Sequence, residues 1–290
     1  MVTFNYKEAF SRNIGWVTEA EQERLRNVKV ACGGLGGVGG DHMTVLARLG
    51  IGKFHISDLD DYDVANFNRQ AGASMQTLGK PKAEVMEGIL KNINPEADVK
   101  NFKEGITFEN VDDFLDGVDI YVDSLDIFAI DIRRKVFQKC YEKGIPAITA
   151  APMGMGTSML VFMPGQMSFE DYFCLEGLSF EDQIIAFVAG VSPALLQRQY
   201  LVSTDTVNFT KEESKVPSTC MGISLAAGVL CTNVLKILLD RGEVIHAPRG
   251  MHFDAYRNKL KKTWRPWGNK NPRQIFLRWY IKRLLGSQGK

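Results

Sequence analysis

The stretch Val28-Lys29-Val30-Ala31-Cys32-Gly33-Gly34-Leu35-Gly36-Gly37-Val38-Gly39 decides the fold. A short apolar run, Val28 to Cys32, leads into the glycines. Met43-Thr44-Val45-Leu46-Ala47-Arg48-Leu49 follows, with Val45, Leu46 and Leu49 able to share one helical face. The order is strand, glycine turn, helix. Glycine lets a backbone come close to a ligand, and free N–H groups at a helix start attract phosphate. A nucleotide is the first expectation. Rossmann dehydrogenases carry G-x-G-x-x-G in the same place, so the discriminating residues are those that follow. A second apolar run, Phe54-His55-Ile56-Ser57, ends in Asp58-Leu59-Asp60-Asp61-Tyr62-Asp63, and then comes Asn66-Phe67-Asn68-Arg69-Gln70. An acid at the end of the second strand, roughly 20 residues past the glycines, suits a ribose hydroxyl. Asn66, Arg69 and Gln70 add donors for which hydride transfer has no use, and an arginine fork matches phosphate oxygens in pairs. Phosphoryl chemistry is implied.

This set resembles the ThiF/MoeB/HesA family, the bacterial relatives of ubiquitin-activating enzymes. The family's motif runs G-x-G-G-x-G, then D-x-D-x-x-x-x-x-N-x-x-R-Q, then G-x-P-K, then a later Asp. The chain matches at Gly34, Gly36, Gly37 and Gly39; at Asp58, Asp60, Asn66, Arg69 and Gln70; at Gly79-Lys80-Pro81-Lys82; and at Asp126. The resemblance implies that these positions bind ATP and magnesium and adenylate a carboxylate. It assigns nucleotide binding to the glycines, Asp58, Asp60, Asn66 and Gln70. Arg69, Lys82 and Asp126 become catalytic, with Asp126 also the magnesium ligand. It further implies a homodimer in which Arg12, within Phe10-Ser11-Arg12-Asn13, reaches the ATP of the neighbouring protomer. The chain departs from the family at Ile127 and Asp131, where Asn and Arg are usual, so the expected local support for Asp126 is missing.

Composition sets outer bounds. The 290 residues are 45% hydrophobic and 24% charged, the mix of a globular protein. No amino-terminal secretion signal and no apolar segment long enough for a bilayer is read, and a cytoplasmic location is expected. The five cysteines are scattered, as in a reducing compartment rather than a disulfide scaffold. The net charge of +1 hides an asymmetry: Arg257 to Lys290 hold eleven Lys or Arg and no acid, leaving the preceding residues near −10. That basic tail is expected to dock on the acidic body or to meet an acidic partner, a membrane surface or RNA.

The reading along the chain is an α/β fold: a doubly wound, Rossmann-like, mostly parallel sheet with helices on both faces and antiparallel strands towards the carboxy-terminal half. Residues 1–27 form a helical arm with a turn at Gly15, residues 28–256 the ATP-binding domain, and residues 257–290 the tail. Pro81 suits the first turn of a helix running to Asn92, with Lys82 at its start although the helix dipole favours acids there. Val118 to Asp126 reads as a buried strand ending in an acid, at the edge where open α/β sheets place ligands. Helix 132–143 and strand 147–150 follow, then strand 159–162. Residues 163–219 read as a long, acidic, irregular crossover, which in the family covers the adenylate. Cys174, in Asp171-Tyr172-Phe173-Cys174-Leu175, is a candidate nucleophile there. The family's C-x-x-C pairs are absent, so no structural zinc is expected. Residues 221–239 read as a buried helix in which Cys220 and Cys231 are structural. Residues 245–246 and 251–254 read as closing strands, and 275–285 as helical.

The expected chemistry is attack of a carboxylate on the α-phosphorus of MgATP with loss of pyrophosphate, stabilised by fixed cations. The acceptor is the carboxy-terminal glycine of a ubiquitin-like or sulfur-carrier protein, a peptide or another carboxylate. Alternatives are a tRNA-directed dehydratase of the same family, an NAD-dependent oxidoreductase, and a non-catalytic partner subunit.

Overall fold

Period-two burial builds the sheet from its first strand outward. In β1 (Lys29–Gly33), Val30 and Cys32 enter one core and Ala31 the other, and all three are fully buried. The same division runs through β4 (Ile120–Asp123), with Ile120 and Val122 against Tyr121, and through β5 (Ala147–Met153) and β6 (Gly156–Phe162). Strands covered on both faces read as continuous apolar runs. With β2 (Lys53–Ser57), β3 (Asp98–Asn101), β7 (Arg249–Asp254) and β8 (Lys259–Trp264) they form one eight-stranded sheet in the order β3-β2-β1-β4-β5-β6-β7-β8. Pairing is parallel from β3 to β5 and antiparallel from β5 to β8. The computed structural model describes residues 3–203 and 216–286, with side chains through residue 283.

Helices α3 (Gly39–Leu49), α4 (Lys82–Ile93) and α9 (Cys220–Leu238) supply residues to one core. Helices α5 (Val111–Phe114), α6 (Ile130–Lys143), α7 (Phe169–Phe173) and α8 (Phe180–Val191) supply the other. The chain therefore winds away from β1 in both directions, and β1 and β4 part at the switch point where doubly wound folds bind ligands. The arm, α1 (Tyr6–Ala9) and α2 (Glu19–Asn27), docks beside the end of α3: Tyr6 Oη donates to Gly50 O at 2.5 Å and Asn13 Nδ2 to Leu49 O at 3.1 Å. Finally α10 (Pro272–Gly286) packs on α8.

Four sequence expectations change. The crossover is not irregular throughout: Ser179 caps α8, and Ile184, Ile185, Ala186, Phe187 and Ala189 are buried, while residues 204–215 lie outside the described part. Residues 245–246 form no strand. Residues 259–264 do form one, so the sheet runs across the boundary drawn at residue 257; β8 escapes pattern reading because Lys-Leu-Lys-Lys-Thr-Trp does not alternate, as suits an edge strand kept from further pairing. The 19-residue α9 is long and apolar enough to cross a bilayer, contrary to the reading of the sequence, yet it packs against α3, β5 and β6. Its small residues permit that approach; a Cβ on Gly222 would stand 2.4 Å from Gly154 O.

Two buried histidines give the fold a pH dependence. Burial pushes His42 down to about 3 and His252 down to about 4, and both rings are inaccessible to solvent. Below about pH 6.5 the unfolded chain binds protons that the folded chain refuses, so stability falls with pH through the window from 6.5 to the folded values. The expected loss for His252 at pH 5 is on the order of 2 kcal/mol. Urea midpoints at pH 7.5 and 5 measure it, and His252→Phe should flatten the slope; an equal slope in that variant refutes the assignment.

Candidate nucleotide site

The site starts where β1 stops. Gly34 has φ of +86°, and a Cβ there would meet Ser124 O at 2.2 Å; one on Gly39 would meet Gly34 O at 1.9 Å. These two glycines are required by backbone packing. Gly36 and Gly37 have a different environment: the nearest atoms to an added Cβ are Gln70 Nε2 at 3.8 Å and Ile223 Cδ1 at 3.3 Å, with Arg69 Nε also 3.8 Å from the latter position. They stand at an open crevice. Among the described residues the amides of Gly36, Gly37 and Val38 donate to no protein acceptor, leaving N–H groups free at the start of α3, an arrangement that attracts phosphate.

Side chains from four segments converge on this turn. Asp58, just past β2, accepts the Leu35 amide on Oδ2 at 2.6 Å and the Asp60 amide on Oδ1 at 2.9 Å. It thereby fixes the glycine turn, and burial raises its pKa, opposed by those two amides. Lys82, buried at the first turn of α4, donates to Asp60 Oδ2 at 2.8 Å. Asp60 is mostly exposed, so this cation is held inside by an acid at the rim. Arg69 Nη1 donates to Ala65 O and Asn68 Oδ1, both at 2.9 Å, beside Gly37. Gln70 is buried, and its Oε1 has no partner, a polar atom of the kind a bound ligand satisfies. Asn66 serves the local turn: its Oδ1 accepts the Asp63 amide at 3.0 Å.

Asp126 lies three residues beyond β4, which ends at Asp123. Its Oδ1 accepts the Phe128 amide at 2.9 Å, while Ser124 and Leu125 of the same turn touch Gly34 and Gly39. The support missing at position 131 comes from Arg133. Buried in α6, Arg133 Nε donates to both carboxylate oxygens of buried Asp123 at 3.2 and 3.0 Å. Its Nη1 donates to Asp126 O at 3.0 Å and Nη2 to Leu125 O at 2.5 Å. One guanidinium thus holds the whole 123–126 turn. The sequence carries the signal as an acid at a strand end and an arginine ten residues on, a pair outside the spacing sought.

Two candidates are not brought to the crevice within the chain. Cys174 is the C-cap of α7, a helix packed against α6, α8 and residues 268–270; its Sγ donates only to Asp171 O, at 3.3 Å. Arg12 belongs to the arm docked at the far end of α3, whose 11 residues put about 16 Å between that end and the glycine turn. Its own turn is beyond reach, so a role at phosphate requires a second subunit. Conversely Cys220, expected to be structural, is exposed at the first position of α9, next to Thr219, which donates to Gly154 O at 2.7 Å. Ile223, one turn on, borders Gly37.

The free amides and the two cations are donors that fit the phosphates of a nucleoside triphosphate, while the orphaned Gln70 Oε1 is an acceptor that suits an N–H or hydroxyl donor of a ligand. Among the described residues no three His, Cys, Asp or Glu gather to hold a metal ion, so magnesium would come with the phosphates, as it commonly does when bound by one or two carboxylates.

Comparison with known proteins bears on this geometry. A ThiF family model matches residues 10–274. The chain is 37% identical over 142 residues to a tRNA threonylcarbamoyladenosine dehydratase of Bacillus subtilis (strain 168), a match covering 49% of this chain and 55% of that protein, about half its length. It is 31% identical over 238 residues to the protein of the same name from Haemophilus influenzae (strain ATCC 51907 / DSM 11121 / KW20 / Rd), covering 79% of this chain and 85% of that one. In fold it is similar to E. coli MccB solved with ATP: TM-score 0.66, 19% identity, 94% of this chain and 77% of that one. The chain belongs to the ThiF family, whose members are ATP-dependent adenylyltransferases.

Proposed function

We propose that this protein adenylates a carboxylate carried on a tRNA, using ATP and releasing pyrophosphate. The observation that carries the adenylation is the convergence of the Gly36–Gly37 turn with Arg69, Lys82 and the 123–126 turn. The carboxylate attacks the α-phosphorus; Arg69 and Lys82 offset the charge that develops on the phosphate oxygens, a role that needs cations fixed beforehand. Lys82 exchanges Asp60 for a phosphate oxygen, at little cost because Asp60 is solvated. Asp58 faces the ribose. Asp126 would hold magnesium, which would neutralise phosphate charge when bound. Arg12 of a second subunit completes the ring of cations, making a homodimer the active form.

The choice of tRNA rests on the two dehydratase relatives. Threonylcarbamoyladenosine bears a carboxylate, and its dehydration requires a carboxylate oxygen to become a leaving group. Adenylation does that: a nitrogen or oxygen of the same nucleoside's side chain bonds to the acyl carbon and gives up its proton, and AMP leaves with the carboxylate oxygen, so the nucleoside loses the elements of one water. With ATP, magnesium and tRNA bearing this nucleoside, the expected products are AMP and a nucleoside lighter by one water, read by mass spectrometry after digestion. AMP formed with a carrier protein ending in Gly-Gly, and none with the tRNA, overturns the acceptor. Tight NADH binding with none of ATP would restore the oxidoreductase alternative.

A further inference from the structure

We infer that β8, the turn after it and the outer face of α10 form a docking surface for RNA. The surface has charge without compensation. From Arg257 to Arg283 there are ten Lys or Arg and no acid, and among the described residues only Lys282 of these forms an ion pair, with Asp182 at 2.7 Å. Lys259, Lys261, Lys262, Lys270 and Arg273 are exposed. Edge protection explains lysines on β8, but it does not explain the aromatics among them. Trp264, Trp267, Phe276 and Trp279 are each more than half exposed, so three of the chain's four tryptophans stand in solvent within 16 residues. The rings of Phe276 and Trp279 lie 5.6 Å apart, and the Arg283 guanidinium sits 5.5 Å over Trp279.

This exposure is built in. The face of α10 turned to the body is held by polar groups: Gln274 Nε2 donates to Ala189 O at 3.0 Å, and just ahead of the helix Asn269 Nδ2 donates to Phe173 O and Ala186 O. Ile281 adds a contact with Ile185 and Ala189. A helix docked this way leaves Ile275, Phe276 and Trp279 outside, the reverse of an ordinary amphipathic helix. Stacking platforms set among cations are how proteins hold single-stranded and looped nucleic acid. A bilayer would want its cations and apolar groups arranged along one plane; here lysines project from both faces of a strand as well as from the turn beyond it.

One end of the surface lies on the same sheet edge as the crevice, five strands from β1. β7 runs in the same direction as β1, so the turn joining it to β8 lies on the sheet edge that carries the glycines. Tyr256 of that turn packs on Tyr200 at 4.5 Å, Arg257 donates to Leu196 O, and Arg198 lies 4.8 Å over Tyr280 of α10. An RNA held here would place a modified base at the same edge as the nucleotide.

The choice of RNA over other polyanions rests on the tRNA reading above, so the test separates the two. Fluorescence anisotropy of the full chain, without ATP, is measured with an unmodified tRNA transcript over a range of salt. The triple variant Lys259→Glu/Lys261→Glu/Lys262→Glu should bind at least about 10-fold more weakly, with a salt slope shallower by about 2 to 3. Phe276→Ala/Trp279→Ala should lose about 10-fold with the slope retained. ATP binding should be unchanged in both. Wild-type affinity in both variants overturns the surface and leaves the tRNA reading standing. Transcript binding lost in the variants, with no dehydration of modified tRNA by the wild type, supports the surface and overturns the reading. Binding of the wild type to phosphatidylserine vesicles but not to RNA overturns the inference in favour of a membrane.

Discussion

Lys82→Ala should lower ATP–pyrophosphate exchange by at least about 100-fold, the usual consequence of removing one oriented charge from a site that stabilises developing negative charge. The substitution is clean because Lys82's acid partner is exposed: Asp60 returns to water, and no buried charge is stranded. Unfolding midpoints should therefore stay near wild type while turnover collapses. Arg69→Ala should give a loss of the same order, since among the described residues its guanidinium is bonded only to Ala65 O and Asn68 Oδ1 and flanks Gly37. The two sides of the crevice act on one triphosphate, so the double variant should lose less than the product of the single losses. Asp60→Asn provides the opposite control. It releases Lys82 from its ion pair while keeping a side chain of the same shape, and it should leave exchange within a few fold of wild type. Exchange unaffected in both Lys82→Ala and Arg69→Ala would remove the chemical basis for the adenylation site.

Much of this site is legible in the sequence because its parts are set by local rules. A glycine that must reach φ of +86° beneath Ser124 and one that must pass within 1.9 Å of Gly34 O, counted from an added Cβ, leave a mark that no other residue type can make. The continuous apolar run Val30-Ala31-Cys32 and the acid after β2 are equally local. What the sequence conceals is set by distance. Helix α8 carries local signals, the Ser179 cap and the acids Glu181 and Asp182 in its first turn, but they sit inside a long connection whose acidic composition reads as irregular. Strand β8 has no pattern, because an edge strand with lysines on both faces is under no demand to alternate. The apolar length of α9 and the burial of its flanks are separate properties, and only packing distinguishes a core helix from a spanning one. Arg12 matches the motif locally, yet it lies a helix length from its own glycines, and only a second subunit could bring it to a phosphate. The support of Asp126 shows the same limit most sharply: a motif read at fixed spacing finds Asp131, whereas the fold uses Arg133 because α6 turns its side chain back over the end of β4.

Arg133→Leu should destabilise the fold by about 3 to 5 kcal/mol, the cost of breaking a buried pair by deleting one partner. Asp123 and Arg133 are each about 2% exposed, so the carboxylate left behind has neither water nor cation, only the Tyr121 hydroxyl at 3.3 Å and the Leu125 amide at 3.4 Å. At roughly 2 to 4 °C per kcal/mol for a chain of this size, the melting temperature should fall by about 6 to 20 °C. Replacing both partners, Asp123→Leu with Arg133→Leu, should recover most of that loss, because two leucines bring no charge into the core and volume is nearly kept. Catalysis should not recover with it. The guanidinium also anchors Leu125 O and Asp126 O, and without it the 123–126 turn loses the donors that hold Asp126 beside the glycines. The stable double variant should therefore show exchange reduced by about 10-fold or more with ATP affinity changed less, since the glycine turn and Asp58, proposed to hold the phosphates and the ribose, belong to other segments. If the double variant is as active as wild type, the turn is held by its contacts with Gly34 and Gly39 alone, and Arg133 is a stability residue only. If it is as unstable as the single variant, the stranded charge is not the cause of the loss, and packing of the guanidinium over the Phe187 ring at 4.5 Å is the contact that matters.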